Sequence, residues 1–544
     1  VTSWFAPWRA GEIHWSQFHR IEYDPHARAL RIDRGGPQAL ESRADPPADD
    51  VPRALPFLFQ RDVPAWKPFP RVLIIGDDSG TANEVSRALV WLEPDAHLDA
   101  VEPDRVVQRL GATRHPDQPF ADPRVTAHIA DGRHFLRTAP AETYDLVILI
   151  PPSPTGTNAR HATFTLEAFG DVRRVLKPTG VCAVCGHFRQ GWVVARMRDQ
   201  LRAAFGEEPV VLTSDGAPVV MLGDNLTSPV ALFAADSEVL NALRAAFEPA
   251  DEGRPAGGLR DVLGLRPRAL VRYWHPRRAA LLRDTKTGFG IGPLPSAKGD
   301  GSSTGWIGVV PAEVEKTDLR PATDDWPFLF APASRVPDQT WWVVGLTLTL
   351  TVGVWLAFGG WAGLTAVEAS SGEPTPDFGG MARAFFLLVG VTLAAATGAS
   401  ELALLLGTAW AGNTATVAIL AALLMGSAFA GRVKPGALYL HYAGLFAVLA
   451  IGLFVRLEWG AAVAGTLTPV GFAGVILAVT FGRAERRARV LGAAVAGVVV
   501  GRLAEGVVVV TGFKLLLLAA GGCYLLSAKF GGDEVPDGAA GPSV

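Results

Sequence analysis

Three groups of residues in the first half of the chain have the types and spacing of a ligand site. Gly76-Asp-Asp-Ser-Gly80 is a loop that follows the apolar run Arg71–Ile75, and Glu102 and Asp131 each close a later apolar run. Glycines in such a loop let backbone N–H groups approach a ligand at a helix N-terminus. A carboxylate at the end of the second strand can accept hydrogen bonds from ribose hydroxyls, and one at the end of the third strand can accept a hydrogen bond from an adenine amino group. The pattern predicts a nucleoside site; the alternative is that both acids are merely solvated.

The loop is expected to bring its backbone N–H groups to an anionic or carboxylate-bearing ligand. Gly76, Asp78 and Gly80 are its predicted contact residues, and Gly132, beside Asp131, belongs to the same predicted set. A carboxylate at Asp78 would repel a ligand carboxylate and attract a ligand amine. The loop by itself is a weak signal, but together with two acids at successive strand ends it becomes specific.

Strands and helices alternate around these residues. Apolar runs predict strands at 71–76, 98–102, 125–131, 144–150, 180–185 and 218–222, and helices at 82–92, 104–110, 164–176 and 190–205. This alternation predicts a Rossmann-like parallel sheet that binds ligands at the carboxyl ends of its strands. Alternating residues at 13–38, with a turn at Asp24-Pro25, predict a small β unit before a Pro-rich stretch.

These motifs together resemble spermidine synthases (polyamine aminopropyltransferases), especially the multi-spanning membrane relatives in bacteria. The resemblance covers 13–36, 71–230 and 323–330 and rests on Asp99-Ala-Val-Glu-Pro-Asp, His115-Pro-Asp-Gln-Pro-Phe, Ala130-Asp-Gly-Arg-His-Phe-Leu, Val172-Arg-Arg-Val-Leu-Lys-Pro and Thr323-Asp-Asp-Trp-Pro-Phe-Leu. It implies a class I methyltransferase-like fold. It also implies decarboxylated S-adenosylmethionine, or a related S-adenosyl compound, as donor and a polyamine amine as acceptor, with no metal.

The sequence departs from that family where catalysis is expected. The family has an Asp-x-x-Asp-Pro loop after the fourth strand, whose acids hold and deprotonate the attacking amine. Ile150 and Ser153 stand at those two positions here. Asp145 and Ser153 are the remaining weak catalytic candidates, and Asp145 is more typical of a cap or a solvated residue.

Three functions therefore remain open. The chain is a transferase of an aminopropyl or related group, a catalytically degenerate binding or assembly module of a membrane complex, or a transporter-like bundle with a regulatory nucleoside-binding domain. The first is implied by the resemblance, and the acid-free loop at 150–154 favours the second. Charges within the apolar segments favour the third.

Long apolar segments fill the second half of the chain. About seven spans are predicted, at 341–364, 383–408, 412–431, 436–455, 461–481, 489–511 and 513–528, because ~20 apolar residues cross the hydrocarbon core. Glu401, Arg502 and Glu505 fall inside these spans. Arg502 and Glu505 are three residues apart, so we expect them to pair on one helix face; the role of Glu401 is open.

The distribution of basic residues conflicts with this topology. Basic loops at 432–434 and 483–489 would lie on the membrane face opposite the soluble half. The positive-inside rule then places the soluble half outside the cytoplasm, where a nucleoside substrate is scarce. We expect an integral protein of a bacterial inner membrane, with the side of the soluble half unassigned. Its expected partners are the lipid bilayer, a polyamine, and either other membrane proteins or further copies of itself.

Composition sets the remaining limits. A formal net charge of -3 argues against nucleic acid as the main partner, since no basic field dominates. Cys182 and Cys185 lie in one apolar run and would point to opposite faces of a strand, which argues against a redox or metal pair. The chain starts at Val1 without a signal-peptide pattern, so we expect a fragment, a processed product or a non-AUG start. The expected domains are 1–68, 69–250, 251–340 and 341–530, with a disordered tail at 531–544.

Overall fold

The computed structural model describes most of the chain in two compact units, one formed mainly by Val1–Pro332 and one by residues from Ala333 onward. The described residues are 11–32, 37–42, 55–57, 59–60, 66–76, 80–151, 162–188, 190–214, 229–245, 282–284, 288–290, 309–312, 314, 318–331, 341–342, 344–347, 349, 378–406, 410–433, 437–454, 459–484 and 487–530.

A small antiparallel sheet opens the first unit, as the alternation at 13–38 predicts. Its strands lie in chain order: β1 Glu12–Trp15, β2 Arg20–Asp24, β3 Ala29–Ile32 and β4 Gln38–Ala39. Ile21 and Leu30 on its inner face are fully buried, and they pack with Val107 and Leu110 of a neighbouring helix. Burial of this apolar face attaches the small sheet to the larger domain.

The strands of the main sheet are β5 Arg71–Ile75, β6 His97–Val101, β7 Val125–His128, β8 Tyr144–Leu149, β9 Leu176–His187, β10 Val210–Ser214, β11 Pro229–Ala234 and β14 Val309–Pro311. Their order across the sheet is β14-β10-β11-β9-β8-β5-β6-β7. The five strands β9-β8-β5-β6-β7 are parallel, which confirms the Rossmann-like prediction. The three strands β14, β10 and β11 are antiparallel and were not predicted. The strand predicted at 218–222 falls in a part of the chain that the structure does not describe.

A separate hairpin pairs β12 Leu282–Asp284 with β13 Gly288–Gly290. The remainder of the Gly-rich excursion predicted at 288–305 is outside the described ranges. Helices cover both faces of the main sheet: α1 Gly80–Trp91, α2 Arg105–Arg114, α3 Gly132–Thr138, α4 Leu166–Val175, α5 Gly191–Phe205 and α6 Ser237–Ala245.

Side-chain caps fix where three of these helices begin. The carboxylates of Asp104 and Asp131 and the hydroxyl of Thr165 accept from backbone N–H groups in the first turns of α2, α3 and α4. A cap of this kind contributes about 1 kcal/mol. Asp104 and Asp131 each lie three residues after a strand of the main sheet, so these two caps also set where α2 and α3 start relative to the sheet edge.

The second unit is helical. Its helices are α7 Phe378–Leu406, α8 Trp410–Phe429, α9 Leu438–Phe454, α10 Trp459–Arg483, α11 Arg487–Glu505, α12 Val508–Thr511 and α13 Phe513–Lys529. α7 packs against α11 and α13, and α8 packs against α10. The segment predicted as one span at 489–511 is divided between α11 and α12. The span predicted at 341–364 lies largely in undescribed sequence, and the tail at 531–544 lies wholly there.

Two of the described helical segments, Gly379–Ala399 and Val463–Arg483, are long and apolar enough to cross a membrane. Val417–Arg432 and Leu438–Phe454 are shorter apolar segments, so the count of about seven spans stays a prediction. The Arg502 guanidinium lies 2.8 Å from the Glu505 carboxylate, so these two pair as expected. The side chain of Glu401 is outside the described part of the structure.

Candidate functional site

The strand order of the main sheet reverses between β5 and β8. From β5 the chain continues to β6 and β7 on one side, and later to β8 and β9 on the other. Ile75, the last residue of β5, is aligned with Val101 of β6 and with Leu149 of β8. Gly76, Glu102 and Ile150 therefore follow three neighbouring strands at one edge. A crevice at such a reversal is where open α/β sheets bind their ligands.

Glu102 is held rigidly at the end of β6. Its side chain is buried, its backbone N–H donates to the carbonyl of His128 at 3.0 Å, and its Oε1 accepts from the N–H of Asp104 at 2.8 Å. Asp104 in turn caps α2 by accepting from the N–H of Val106 at 2.8 Å. This arrangement fixes a carboxylate in an environment where its interaction with a ligand hydroxyl is strong.

Asp131 joins the end of β7 to the start of α3. Its Oδ1 accepts from the N–H of His134 at 3.0 Å. Burial raises the pKa of the Asp131 carboxyl, and the backbone N–H groups of His134 and Arg133 only partly offset that rise. The group is therefore a carboxylate whose ionised form is poorly solvated, which favours a partner that donates hydrogen bonds.

Gly132 permits the close approach of α3 to the end of β5. A Cβ built on Gly132 would lie 2.5 Å from Cγ2 of Ile75 and 3.3 Å from Oγ1 of Thr163. The residue is a glycine because no side chain can be placed there without moving the strand or the turn. The first turn of α3, which Asp131 caps, is thereby brought to the carboxyl edge of the sheet.

Of the other predicted residues, the structure describes Gly76, Gly80 and Asp145. Gly76 is buried directly after β5, and Gly80 begins α1. Asp78 and Ser153 belong to stretches that are not described. Asp145 is the second residue of β8, at the opposite edge of the sheet. It accepts from the N–H of Arg71 at 3.0 Å, and Lys177 Nζ lies 2.8 Å from its carboxylate. Asp145 is thus neither a helix cap nor a solvated acid in the structure, but an ion-paired residue at the start of a strand.

The His115 motif has a structural role. His115 is buried, accepts from the N–H of Asp117 through Nδ1 at 3.1 Å, and so carries its proton on Nε2, 3.1 Å from Oδ1 of Asn83. Asn83 of α1 donates to the carbonyl of Ala39 at 2.9 Å. The motif thereby ties the small N-terminal sheet to the first turn of α1.

The two cysteines of β9 lie on opposite faces of the sheet, as predicted. Cys182 belongs to the hydrophobic cluster with Leu73 and Phe169, and Cys185 to the cluster with Val72 and Phe233. Burial raises the pKa of the Cys182 thiol. Within the described ranges, no group of three or more His, Cys, Asp or Glu side chains is placed to hold a metal ion.

Sequence reasoning missed Arg133, Thr163 and Asp324, which surround the start of α3. Arg133 Nη2 lies 3.0 Å from Asp324 Oδ2, and Thr163 lies against Gly132. The contact between residues 133 and 324 is too remote in sequence for a local pattern to reveal. The only available signal was that both residues lie in motifs that carry the resemblance.

Residues 67–193 match the model of the spermine/spermidine synthase domain. The chain is 37% identical over 126 residues to spermidine synthase 1 of Pisum sativum, which covers 23% of this chain and 35% of that protein. It is 34% identical over 158 residues to polyamine aminopropyltransferase 2 of Streptomyces coelicolor, covering 28% of this chain and 26% of that protein. The chain thus spans about a third of the length of the curated relatives it matches.

Solved structures also resemble the chain. A probable spermidine synthase from Corynebacterium glutamicum has 15% sequence identity and a TM-score of 0.32, covering 43% of this chain and 86% of that one. Spermidine synthase from Thermotoga maritima has 19% identity and a TM-score of 0.30, covering 41% and 72%. The family match and the curated relatives confirm the predicted resemblance to spermidine synthases. They do not separate the membrane subgroup from the rest.

Proposed function

From the premise that residues 67–193 form a spermidine-synthase-like domain, we propose that the chain binds an S-adenosyl compound and transfers an aminopropyl or related group to an amine. The observation that carries the proposal is the arrangement of Gly76, Glu102 and the start of α3 along one sheet edge, at the β5–β8 reversal. Such an edge combines carboxylates with the N-terminus of a helix, which suits a nucleoside.

The described residues have the chemistry that the donor, decarboxylated S-adenosylmethionine or a relative, requires. Glu102 would accept from the ribose hydroxyls and Asp131 from the adenine amino group, because both are buried or poorly solvated acceptors. Gly132 keeps space at the start of α3 that a side chain would fill. Gly76, Asp78 and Gly80 would contact the aminopropyl tail, and Asp78 would attract its amine.

The transfer itself is a substitution at carbon. The acceptor amine would lose a proton and attack the carbon beside the sulfonium, the carbon–sulfur bond would break, and methylthioadenosine would leave. The electron pair of the broken carbon–sulfur bond stays on sulfur, and the proton of the acceptor amine goes to a base. The protein's part is to orient the amine and to accept that proton. Ile150, with an apolar side chain, cannot be the base, so the base is unassigned.

We also propose that the helical unit lies in the bilayer of a bacterial inner membrane. Val417, Leu420, Leu424 and Met425 of α8 are 57–70% exposed, and a surface this apolar is unfavourable in water. Two segments of the unit have the length and hydropathy of a span. The proposal includes about seven spans in all.

Incubation of the detergent-solubilised full-length chain with decarboxylated S-adenosylmethionine and a diamine tests the transfer. Mass spectrometry should find methylthioadenosine and an aminopropylated amine in equal amounts. Absence of both products, with no binding of the donor, would refute the proposal.

A binding module is the second candidate function. It is favoured by Ile150, which is buried in the hydrophobic core at the place where the resemblance expects an acid. The same experiment separates the two functions, because a binding module would take up the donor without forming either product.

A further inference from the structure

Asp324 contacts three residues at the starts of two helices of the first unit, Arg133 in α3 and Thr165 and Glu167 in α4. It lies in the segment 318–331, which runs to the end of that unit at Pro332. Its Oδ1 accepts from the Thr165 hydroxyl at 2.7 Å, its Oδ2 lies 3.0 Å from Arg133 Nη2, and its N–H donates to Glu167 Oε2 at 2.8 Å. One carboxylate thus bridges the first turn of α3 and the cap of α4.

Arg133 connects Asp324 to the ligand edge of the sheet, because it lies in the first turn of α3. Its side chain is 3% exposed and pairs with Asp171 of α4 as well as with Asp324. Burial by itself would lower the pKa of Arg133, but the two carboxylates outweigh it and the pKa is raised. Arg133 is therefore charged in a nearly dry environment, where loss of Asp324 would leave it with one carboxylate partner instead of two.

The segment that carries Asp324 is anchored independently of it. Arg196 is buried and donates to the carbonyls of Phe328, Leu329 and Ala331. Trp326 is fully buried, with the guanidinium of Arg196 5.4 Å from its ring centroid. The carbonyl of Ala322 accepts from Gln200 Nε2 at 2.9 Å. A change at Asp324 should therefore leave the segment in place and remove only the contacts of the carboxylate with Arg133 of α3 and with Thr165, the cap of α4.

We propose that Asp324 is a positioning residue for the ligand site: through Arg133 it holds the first turn of α3, and with it Asp131 and Gly132, against the end of β5. Asp131 and Gly132 directly precede Arg133, so a shift of the arginine moves both. Thr165, the other partner of Asp324, closes the short turn Ala162–Phe164, whose Thr163 contacts the Cβ position of Gly132. The inference rests on the proposed function, because it assigns a role towards the same nucleoside.

The adjacent Asp325 supplies a matched control. It lies one residue further along, its side chain is 29% exposed against 16% for Asp324, and its carboxylate lies 3.9 Å from the guanidinium of Arg320. The variants are Asp324→Ala, Asp324→Asn and Asp325→Ala in the full-length chain in detergent. Asn retains an oxygen for Thr165 but not the charge for Arg133.

Two measurements test the proposal: hydrogen exchange by mass spectrometry, and calorimetric titration with methylthioadenosine. For Asp324→Ala we expect faster exchange confined to residues 132–139 and 162–168 and about tenfold weaker affinity, because a displaced binding group loses its geometry. Asp324→Asn should be intermediate and Asp325→Ala unchanged. A structural role alone would instead raise exchange throughout the main sheet.

The outcomes separate this inference from the proposed function. If the unsubstituted chain binds methylthioadenosine and Asp324→Ala matches it in both exchange and affinity, the positioning role is refuted while the function stands. An equal effect of Asp325→Ala would refute it as well. If the unsubstituted chain binds no methylthioadenosine, the proposed function fails and the assignment of Asp324 fails with it.

Discussion

A Cβ placed on Gly132 would lie 2.5 Å from Cγ2 of Ile75, so α3 begins as close to the end of β5 as a backbone allows. Ile75 is β-branched and lies in a buried strand, which leaves its methyl group little room to move. Gly132→Ala should therefore destabilise the fold by about 1–3 kcal/mol through overpacking. Chemical denaturation of the full-length chain, followed by tryptophan fluorescence, measures this change.

Gly170 is the control for that substitution. It lies within α4 with nothing within 4 Å of its Cβ position. Gly170→Ala should stabilise the chain by about 0.5–1 kcal/mol, since alanine is the better helix former. Equal effects of the two alanines on stability would show that the contact between Gly132 and Ile75 is not a tight one.

Asp131→Asn should separate stability from binding. Burial raises the pKa of this carboxyl above its ordinary value of 3.8. The protonated form is therefore favoured more in the folded chain than in the unfolded chain. Ionisation at neutral pH opposes folding, and this opposition is lost as the pH falls through the folded pKa towards 3.8. Asparagine keeps the cap acceptor without the charge. Its melting temperature should therefore equal or exceed the unsubstituted value at neutral pH, and the difference should shrink towards about pH 4.

Two further results complete the test of Asp131. Asp131→Ala removes the cap acceptor as well and should cost about 1 kcal/mol. The asparagine variant should also bind methylthioadenosine more weakly, because the charged acceptor for the adenine amino group is gone. An asparagine variant that melts well below the unsubstituted chain at neutral pH would contradict the role of burial at this carboxyl.

Arg196→Lys should be far from conservative. The guanidinium donates to three backbone carbonyls and has Trp192 and Trp326 within 5.0 and 5.4 Å, and burial lowers the pKa of Arg196 to about 10. The group is still a cation at neutral pH, and a lysine cannot reach all three carbonyls. We expect a loss of about 3 kcal/mol in the free energy of unfolding. Arg202→Lys on the same helix, at a half-exposed position, should stay within about 0.5 kcal/mol; a similar loss there would argue against a special role for Arg196.

Cys182 and Cys185 should resist thiol reagents in the folded chain. Both side chains are fully buried, and the raised pKa of Cys182 disfavours its thiolate. In a Cys523→Ser background, maleimide should add no mass until denaturant is present. A two-hydrogen loss after mild oxidation of the folded protein would mean that the two thiols face each other, against the strand geometry.

Local patterns were sufficient for the centre of the first unit. The apolar runs ending at Gly76, Glu102 and Ile150 predicted β5, β6 and β8, because each run is short, rich in apolar residues that favour strands, and followed by a loop. The two-residue period of a strand was enough to predict that Cys182 and Cys185 lie on opposite faces of the sheet. The same period could not show that β10 and β11 run antiparallel, since pairing depends on partners remote in sequence.

Local sequence patterns also could not predict which residues surround the site. Arg133 lies next to Gly132 in a motif, but its partner Asp324 is in another segment of the chain. Asp145 is of a residue type that can act as a base. It lies at the amino end of β8, however, where it pairs with Lys177, and only the assembled sheet shows that this end is opposite the ligand edge. The strand-end acids could be predicted because their position along a strand fixes their position in the sheet.

Calorimetric titration of methylthioadenosine into the full-length chain and its Glu102→Gln variant tests the central claim most directly. Glutamine preserves the shape of Glu102 but removes the charge that would hold the ribose, so affinity should fall about 10- to 100-fold. Glu93→Gln, at an exposed position after α1, should leave affinity unchanged. Saturable binding that Glu102→Gln weakens selectively is the result we predict. Binding of equal strength in all three proteins, or none in the unsubstituted chain, would contradict a nucleoside site at this sheet edge.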